Sequence, residues 1–338
     1  MATAKDAKFV GESVLSAIGN TPMVRLKRLF PSANIKLYAK LEMLNPGGSI
    51  KDRAAVSVIR QGIESGEIKP NSTVIESSSG NMGIGLAQAC SLYGLRFICV
   101  VDPKTTEQNI RLLKAYGAEV DCVTEPDPQT GEFLCARIKR VQSLLGALAN
   151  SFWPNQYANL CNSGAHYWTM SEIAMDLDGE VDYLFCATST CGTLRGCAEY
   201  ICSRNLRTKI VAVDALGSVI FGGSPVKRLI PGHGAGIRPP LYQPNLAQQV
   251  VHVTDLECVV HCRALARIEA LLMGGSSGAV IAAVRKCITS IPPNANVVVI
   301  LPDRGERYID TIYSDWWVLE NLGEFAQALE ETANYLTN

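Results

Sequence analysis

Residues Asn45–Arg53 read NPGGSIKDR. Upstream, IKLYAKLEML (Ile35–Leu44) is apolar enough for a strand. Downstream, Ala54, Ala55, Val58, Ile59, Gly62 and Ile63 recur at helical spacing until GEIKPN stops them. The unit is strand, tight glycine loop, helix, with Lys51 where the helix begins. Two readings of Lys51 follow. It is a solvated lysine in a first turn, or an amine held in place because something attaches to it covalently.

The unit recurs along the chain. STVIE (Ser72–Glu76) reads as a strand, SSSGN as a loop, and Gly83–Tyr93 as a helix. RFICVV (Arg96–Val101) is a strand that breaks at Asp102-Pro103, before a helix at Glu107–Tyr116. Val120–Val123 and Glu132–Leu148 repeat the pair. Next come YLFCA (Tyr183–Ala187), a helix from Gly192, a strand at Lys209–Asp214, helices at Leu256–Met273 and Gly278–Thr289, and VVVIL (Val297–Leu301). This alternation predicts an α/β fold of mostly parallel sheets with helices on both faces. Ligands in such folds sit beyond the carboxyl ends of strands, where loops run into helix N-termini. NPGGSIK, SSSGNMG, STCGT and GGSSG occupy such places, and their clustering points to one site. Gly217–Gln249, rich in Gly and Pro, reads as a long functional loop.

At 338 residues the chain exceeds what one core of ~250–300 residues usually holds, so two lobes are expected. With 31 basic and 32 acidic residues, net charge −1, no electrostatic case exists for nucleic acid or a membrane surface. No stretch approaches the ~20 apolar residues of a membrane helix. The leader MATAKDAKFVGESVL has no apolar core of a signal peptide, so a cytoplasmic location is expected. Twelve cysteines show no CxxC pair. Cys186, Cys191, Cys197 and Cys202, and separately Cys258, His261 and Cys262, are spaced as a zinc site could be. Reduced cysteines serving as small hydrophobes are the better reading, and no metal is expected.

SSSGN (Ser77–Asn81) could simply cap a helix; its N–H groups and hydroxyls could equally grip a carboxylate. STCGT (Ser189–Thr193) looks like an anion cradle after a strand. It lacks the GxxxxGK of a nucleotide loop, so a single phosphate suits it better. GGSSG (Gly274–Gly278) reads by itself as a helix-breaking loop.

Taken in order from GNTPMVRL (Gly19–Leu26) to PDRGERY (Pro302–Tyr308), these segments resemble the cysteine synthase and cystathionine β-synthase group of pyridoxal-phosphate enzymes. The resemblance implies fold type II, like the tryptophan-synthase β-subunit: two lobes, each a mostly parallel twisted sheet flanked by helices, with pyridoxal 5'-phosphate in the cleft. Residues 41–150 would form a smaller, mobile lobe with 1–17 packing nearby. Residues 18–40 plus 151–325 would form the larger lobe that binds the cofactor phosphate.

Carried over residue by residue, Lys51 matches the lysine that forms the Schiff base, and Asn81 the asparagine beside the cofactor's ring hydroxyl. Ser189, Thr190, Cys191, Gly192 and Thr193 match the GTGGT loop that holds the cofactor phosphate. Ser276 matches the serine facing the pyridine nitrogen. Ser78, Ser79, Asn81 and Met82 match the loop that holds the substrate α-carboxylate, with Gln156 aiding it. A neutral serine at the pyridine nitrogen leaves the ring a weaker electron sink, which suits β-elimination. The implied reaction is a β-replacement through an aminoacrylate, with Lys51 as the base.

The sequence departs from plain cysteine synthases at Ser189 and Cys191, where glycines are usual, at Met82 for threonine, and at Asp303-Arg304 for small residues. Together with DALGSVIFG (Asp214–Gly222) and YSDWW (Tyr313–Trp317), these features resemble the N-(2-amino-2-carboxyethyl)-L-glutamate synthases of 2,3-diaminopropionate and siderophore biosynthesis. That resemblance implies O-phospho-L-serine and L-glutamate as substrates and a homodimer. A phosphate dianion and a second dicarboxylate call for cations in the cleft, for which Arg137, Arg195 and Arg238 are candidates, each with a surface or ion-pair alternative. Tyr157 and Ser189 are candidate substrate contacts. His233 reads as loop structure, and Trp316 and Trp317 as core packing by default. The rivals are a cysteine synthase using sulfide, an inactive regulatory homologue, and a nicotinamide dehydrogenase. Intact Lys51, Asn81 and Ser276 speak against the second. The third lacks a GxGxxG followed by an acidic residue.

Overall fold

The structure, a computed structural model, describes residues 11–323. In its first half β1 (Met23–Arg25) and β2 (Lys36–Leu41) lead into α1 (Lys51–Glu64). Then follow β3 (Thr73–Ser77), α2 (Asn81–Tyr93), β4 (Arg96–Val101), α3 (Glu107–Ala115), β5 (Glu119–Cys122), α4 (Phe133–Ala147) and β6 (Ser151–Phe152). The second half comprises α5 (Leu160–Asp176), β7 (Tyr183–Ala187), α6 (Gly192–Ser203), β8 (Lys209–Ala215) and β9 (Gln249–Val253). It ends with α7 (Asp255–Ile268), α8 (Gly275–Cys287), β10 (Asn296–Leu301) and α9 (Asp315–Leu322).

Two sheets result. The larger runs β1-β2-β10-β7-β8-β9, parallel except for β1 against β2. The smaller runs β5-β4-β3-β6 and is parallel throughout. Strands β4, β7, β8 and β10 are mostly apolar runs, and β3 (TVIES) is buried along its whole length, as expected where helices cover both faces. One face of the large sheet packs on α7 and α8, the other on α5 and α6. The small sheet has its own core with α1 and α2, in which Leu15 is also buried. Its strands reach Phe152, just past the boundary expected at 150. Of the expectation for residues 1–17, the part covering 1–10 lies outside the described residues, as do 324 and 325.

Several elements carry no clear apolar stripe and are absent from the sequence reading. The most consequential is α5, LCNSGAHYWTMSEIAMD, which Asn159 caps through Cys161 N–H at 2.9 Å. Its small and polar residues face neighbours: Gly196 of α6 sits so close that a Cβ there would meet Ser163 O at 2.1 Å. GGSSG also differs from expectation. Residues Gly275–Gly278 form the first turn of α8 rather than a loop before it, because Ala270, left-handed at φ +57°, already ends the preceding segment. Trp317 packs on the large core, whereas Trp316 is 69% exposed.

All twelve cysteines are free and eight are buried. Among the described residues no group of three or more His, Cys, Asp or Glu is arranged to hold a metal ion. Nor is any described helix long and apolar enough to cross a membrane.

Candidate active site

The loops after β2, β3, β7 and β10 converge on one cleft. Its walls include Lys51, Asn81, Ser189–Thr193, Ser276 and Asp303. Eight of the expected residues meet there, from segments as far apart as 51 and 276 in sequence. Gly232 of the long Gly217–Gln249 segment also lines it, and Gly234 N–H donates to Thr188 O at 2.7 Å, anchoring that segment against the cradle.

Lys51 is the first residue of α1. The loop before it is closed by Asp52, whose buried carboxylate accepts from Gly47 N–H at 2.5 Å. A Cβ on Gly47 would lie 2.5 Å from that carboxylate, so only glycine fits. Burial pushes the Lys51 amine below its ordinary range, partly opposed by the Asp303 carboxylate. The direction of that shift favours the neutral, nucleophilic form of the amine.

The STCGT segment wraps the N-terminus of α6, whose first N–H groups have no partner within the helix. Helix dipole and N–H groups together favour an anion there. Gly192 is forced by Asn162 of α5: a Cβ would lie 2.4 Å from Asn162 Oδ1, itself buried without a hydrogen-bond partner. Asn162 Nδ2 donates to Thr190 Oγ1 at 3.3 Å and to Gln156 O at 2.7 Å, bracing the cradle. Cys191 adopts the left-handed region at φ +65°, where glycine would be unstrained. Ser276 lies in the first turn of α8, buried and facing the cleft.

Asn81 opens α2 and is clamped on both sides of its amide. Nδ2 donates to Asp303 Oδ2 at 2.7 Å, and Oδ1 accepts from Arg307 Nη1. Arg307 also donates to Gly47 O, and Tyr308 OH donates to Asp303 Oδ2 at 2.5 Å. Burial pushes the Asp303 carboxyl up, against these bonds and the nearby cations.

The expected substrate residues divide. Ser78 is committed to the loop: its Oγ accepts from Gly83 N–H at 2.9 Å. Ser79 is half-buried, and its carbonyl accepts from Asn109 Nδ2 at 3.0 Å. Met82 turns its side chain into the small-lobe core with Leu86, Ala89 and Cys90, because helical spacing puts it on the inward face of α2. Only its backbone is left for a ligand. Gln156 Nε2 donates to Ser77 O at 3.3 Å, tying its loop to the end of β3. Arg137 points inward from α4, buried, with Nε 3.1 Å from Asp102 Oδ2 at the end of β4. Burial raises the half-buried Tyr157 phenol, with Arg137 pulling it down and Glu76 pushing it up. Glu76, pushed up to about 7 by burial, accepts from Ser77 N, Gln156 N and Trp153 Nε1. Arg238 is exposed, donates to Ile220 O at 2.9 Å and stacks on Tyr242, away from the cleft walls. Arg195 pairs along its own helix with Glu199 at 2.7 Å. Buried His233 is held down to about 4 by desolvation.

The sequence reading noted Asp303 only as a departure from the family pattern and gave it no role at the site; Arg307 and Tyr308, which hold Asn81 and Asp303, it did not single out. A signal existed: three polar side chains follow a buried strand at its carboxyl end, where ligands sit.

The pattern of the family described as "pyridoxal-phosphate dependent enzyme" matches residues 14–303. Among solved structures, the O-acetylserine dependent cystathionine beta-synthase from Helicobacter pylori superposes with TM-score 0.84 at 32% identity, covering 90% of this chain and 100% of its own. The O-acetyl serine sulfhydrylase isoform 3 from Entamoeba histolytica gives 0.85 at 32%, over 93% and 94%. An O-ureido-L-serine synthase gives 0.83 at 29%, over 92% and 96%.

Proposed function

The chain belongs to the pyridoxal-phosphate dependent enzymes, with a cysteine-synthase-like fold, and from that premise we propose that it joins O-phospho-L-serine and L-glutamate. The products would be N-(2-amino-2-carboxyethyl)-L-glutamate and phosphate. As a β-replacement synthase of this family it uses pyridoxal phosphate, which when bound supplies an electron sink for the pair left at the substrate α-carbon. The residues present fit that group: an enclosed amine at Lys51, a phosphate-sized cradle at Ser189–Thr193, an amide at Asn81 and a neutral hydroxyl at Ser276.

In this reading the backbone of Ser79–Met82, at the N-terminus of α2, orients the substrate α-carboxylate, with Gln156 bracing that loop. Lys51 Nζ takes the α-proton and later returns it to the product α-carbon. The β-phosphate departs with its bonding pair, and the glutamate amine attacks the same β-carbon.

The observation that carries the choice of donor is Arg137. It is buried, pairs with Asp102 and acts electrostatically on Tyr157 and Glu76. It does not line the cleft, but it is the buried cation nearest the Gln156–Tyr157 loop that a phosphate dianion would call on and an acetyl leaving group would not. The relatives named for O-acetylserine make the donor a real question. Cofactor-loaded protein given phosphoserine and glutamate is expected to release phosphate and form the C–N product, identified by mass. Cysteine formed from sulfide, with glutamate inert, would overturn this in favour of a cysteine synthase. By the same resemblance the active form is a cytoplasmic homodimer, which sedimentation and cell fractionation test.

A further inference from the structure

Asp303 stands out among the cleft residues. Of the described residues that line the cleft it is the only carboxylate. One oxygen, Oδ2, is used twice, by Tyr308 OH and Asn81 Nδ2; the other, Oδ1, is buried without a partner. An unpartnered buried carboxylate oxygen is costly, so its retention at a site wall points to a duty there.

Backbone pairing holds this residue beside Lys51. Ile50 N–H donates to Pro302 O at 2.8 Å and Arg304 N–H to Gly48 O at 3.2 Å, with Ser49 opposite Asp303 in the same short ladder. On its other side Gly274 N–H donates to Asp303 O at 3.1 Å and Gly305 N–H to Leu272 O at 3.0 Å. The carboxylate cannot drift from the lysine without breaking both seams.

The charges facing Lys51 are few. On α1 itself Asp52 is turned to Gly47 N–H, and Arg53 to Glu42 and Glu172. His166 of α5 faces it and is held neutral by burial, then by Lys51 and Arg53. β7 brings the Cys186 thiol and the loop before α6 the Cys191 thiol, each pushed up to about 12 by burial; from α8 comes only Ser276. The Pro302–Tyr308 segment brings Asp303 and, beyond Asn81, Arg307. Among the described residues lining the cleft, Asp303 is the one carboxylate placed to balance a positive Lys51.

We propose that Asp303 is a positioning residue that keeps the proton on Lys51 between the two halves of the reaction, while holding the Asn81 amide in place. This rests on the reading of Lys51 as the cofactor-bearing base. When the substrate α-C–H bond breaks, the proton forms an N–H bond at Nζ and the pair stays with the substrate until the β-substituent leaves. Nζ is then an ammonium in a buried site. Asp303 stabilises it until the second amine has attacked and the proton returns to the α-carbon.

The test uses the full-length apoprotein and pyridoxal phosphate itself. Capture of the aldehyde requires the neutral amine, so the capture rate against pH, followed by absorbance, reports the amine's midpoint. Asp303→Asn is expected to lower that midpoint by about one pH unit. Asp303→Ser carries the same measurement if the asparagine variant does not fold. Tyr308→Phe removes a hydrogen bond but keeps the charge, and is expected to hold the wild-type midpoint. An unchanged midpoint in the Asp303 variants, or an equal shift in Tyr308→Phe, overturns the proposal. No capture by the wild type, or capture by Lys51→Met at the wild-type rate, overturns the reading beneath it.

Discussion

Lys51 and Arg53 stand two residues apart on α1, about 200° around the helix, and the two faces treat a cation in opposite ways. Arg53 is buried and fully answered: Nε and Nη2 donate to Glu42 at 2.7 Å, Nη1 and Nη2 to Glu172 at 2.6 and 2.7 Å. Lys40 joins the same network at 2.8 Å from Glu172. Lys51 faces the cleft with a single neighbouring carboxylate, and burial depresses its amine. Satisfied charge locks β2, α1 and α5 together; unsatisfied charge is available for chemistry. The rigid side holds the reactive side still.

Removing the reactive cation should have the largest effect. Lys51→Met is expected to lower turnover by at least about 10³-fold, since a positioned proton-transfer group alone contributes 10²–10⁴. Its urea midpoint should stay at or above wild type, because a desolvated amine is lost. A large fall in stability instead would erase the contrast between the faces.

Next comes the structural cation. Arg53→Met strands Glu42 and Glu172 in the interior and is expected to destabilise by about 3–5 kcal/mol in urea denaturation. A loss under about 1 kcal/mol would mean that the network contributes little.

The acid limb sharpens the same comparison. Despite burial, Arg53 and Lys40 hold Glu172 down to about 2. Its folded pKa lies below the unfolded value near 4.5, so its contribution is present above that value and is lost as pH falls from about 4.5 to 2. Asp52 and Glu76, each pushed up to about 7 by burial, act in the opposite sense and reduce stability as pH rises from about 4 (Asp52) or 4.5 (Glu76) to 7. Denaturation midpoints between pH 6 and 2.5 should therefore fall on the acid side, less steeply in Arg53→Met. Equal slopes would show that Glu172 is not the titrating group.

The smallest effect is expected in the cradle. Cys191→Gly removes left-handed strain of about 1 kcal/mol, and also the thiol's burial against Ile220, Ala235 and Leu241, worth about the same. Stability should change by less than about 0.5 kcal/mol in thermal unfolding; a shift of several degrees either way would show one of these two contributions to be misjudged.

Much of the site was legible in order along the chain, because each small-residue loop sits between a recognisable strand and helix. Lys51, Asn81, Ser189–Thr193 and Ser276 do meet at one cleft. Met82 shows where a motif position misleads: its place in the loop is clear from sequence, but only helical phase sends its side chain to the core. For Arg238 the cation was visible and its exposed position was not. Helix α5 was missed because its buried face is built of small and polar residues that match α6, and such complementarity has no hydrophobic period.

Local chemistry by itself determined the alternation of strands and helices, the loops at strand ends and the lysine at the start of α1, since each depends on neighbours within a few residues. Tertiary structure alone decided the partners. Residues 222 to 226 positions apart bring Asp303 and Arg307 to Asn81, and 119 positions separate Arg53 from Glu172. Which buried charge is neutralised and which is left reactive depends on distances across the fold, and electrostatic energy in a low-dielectric interior follows those distances.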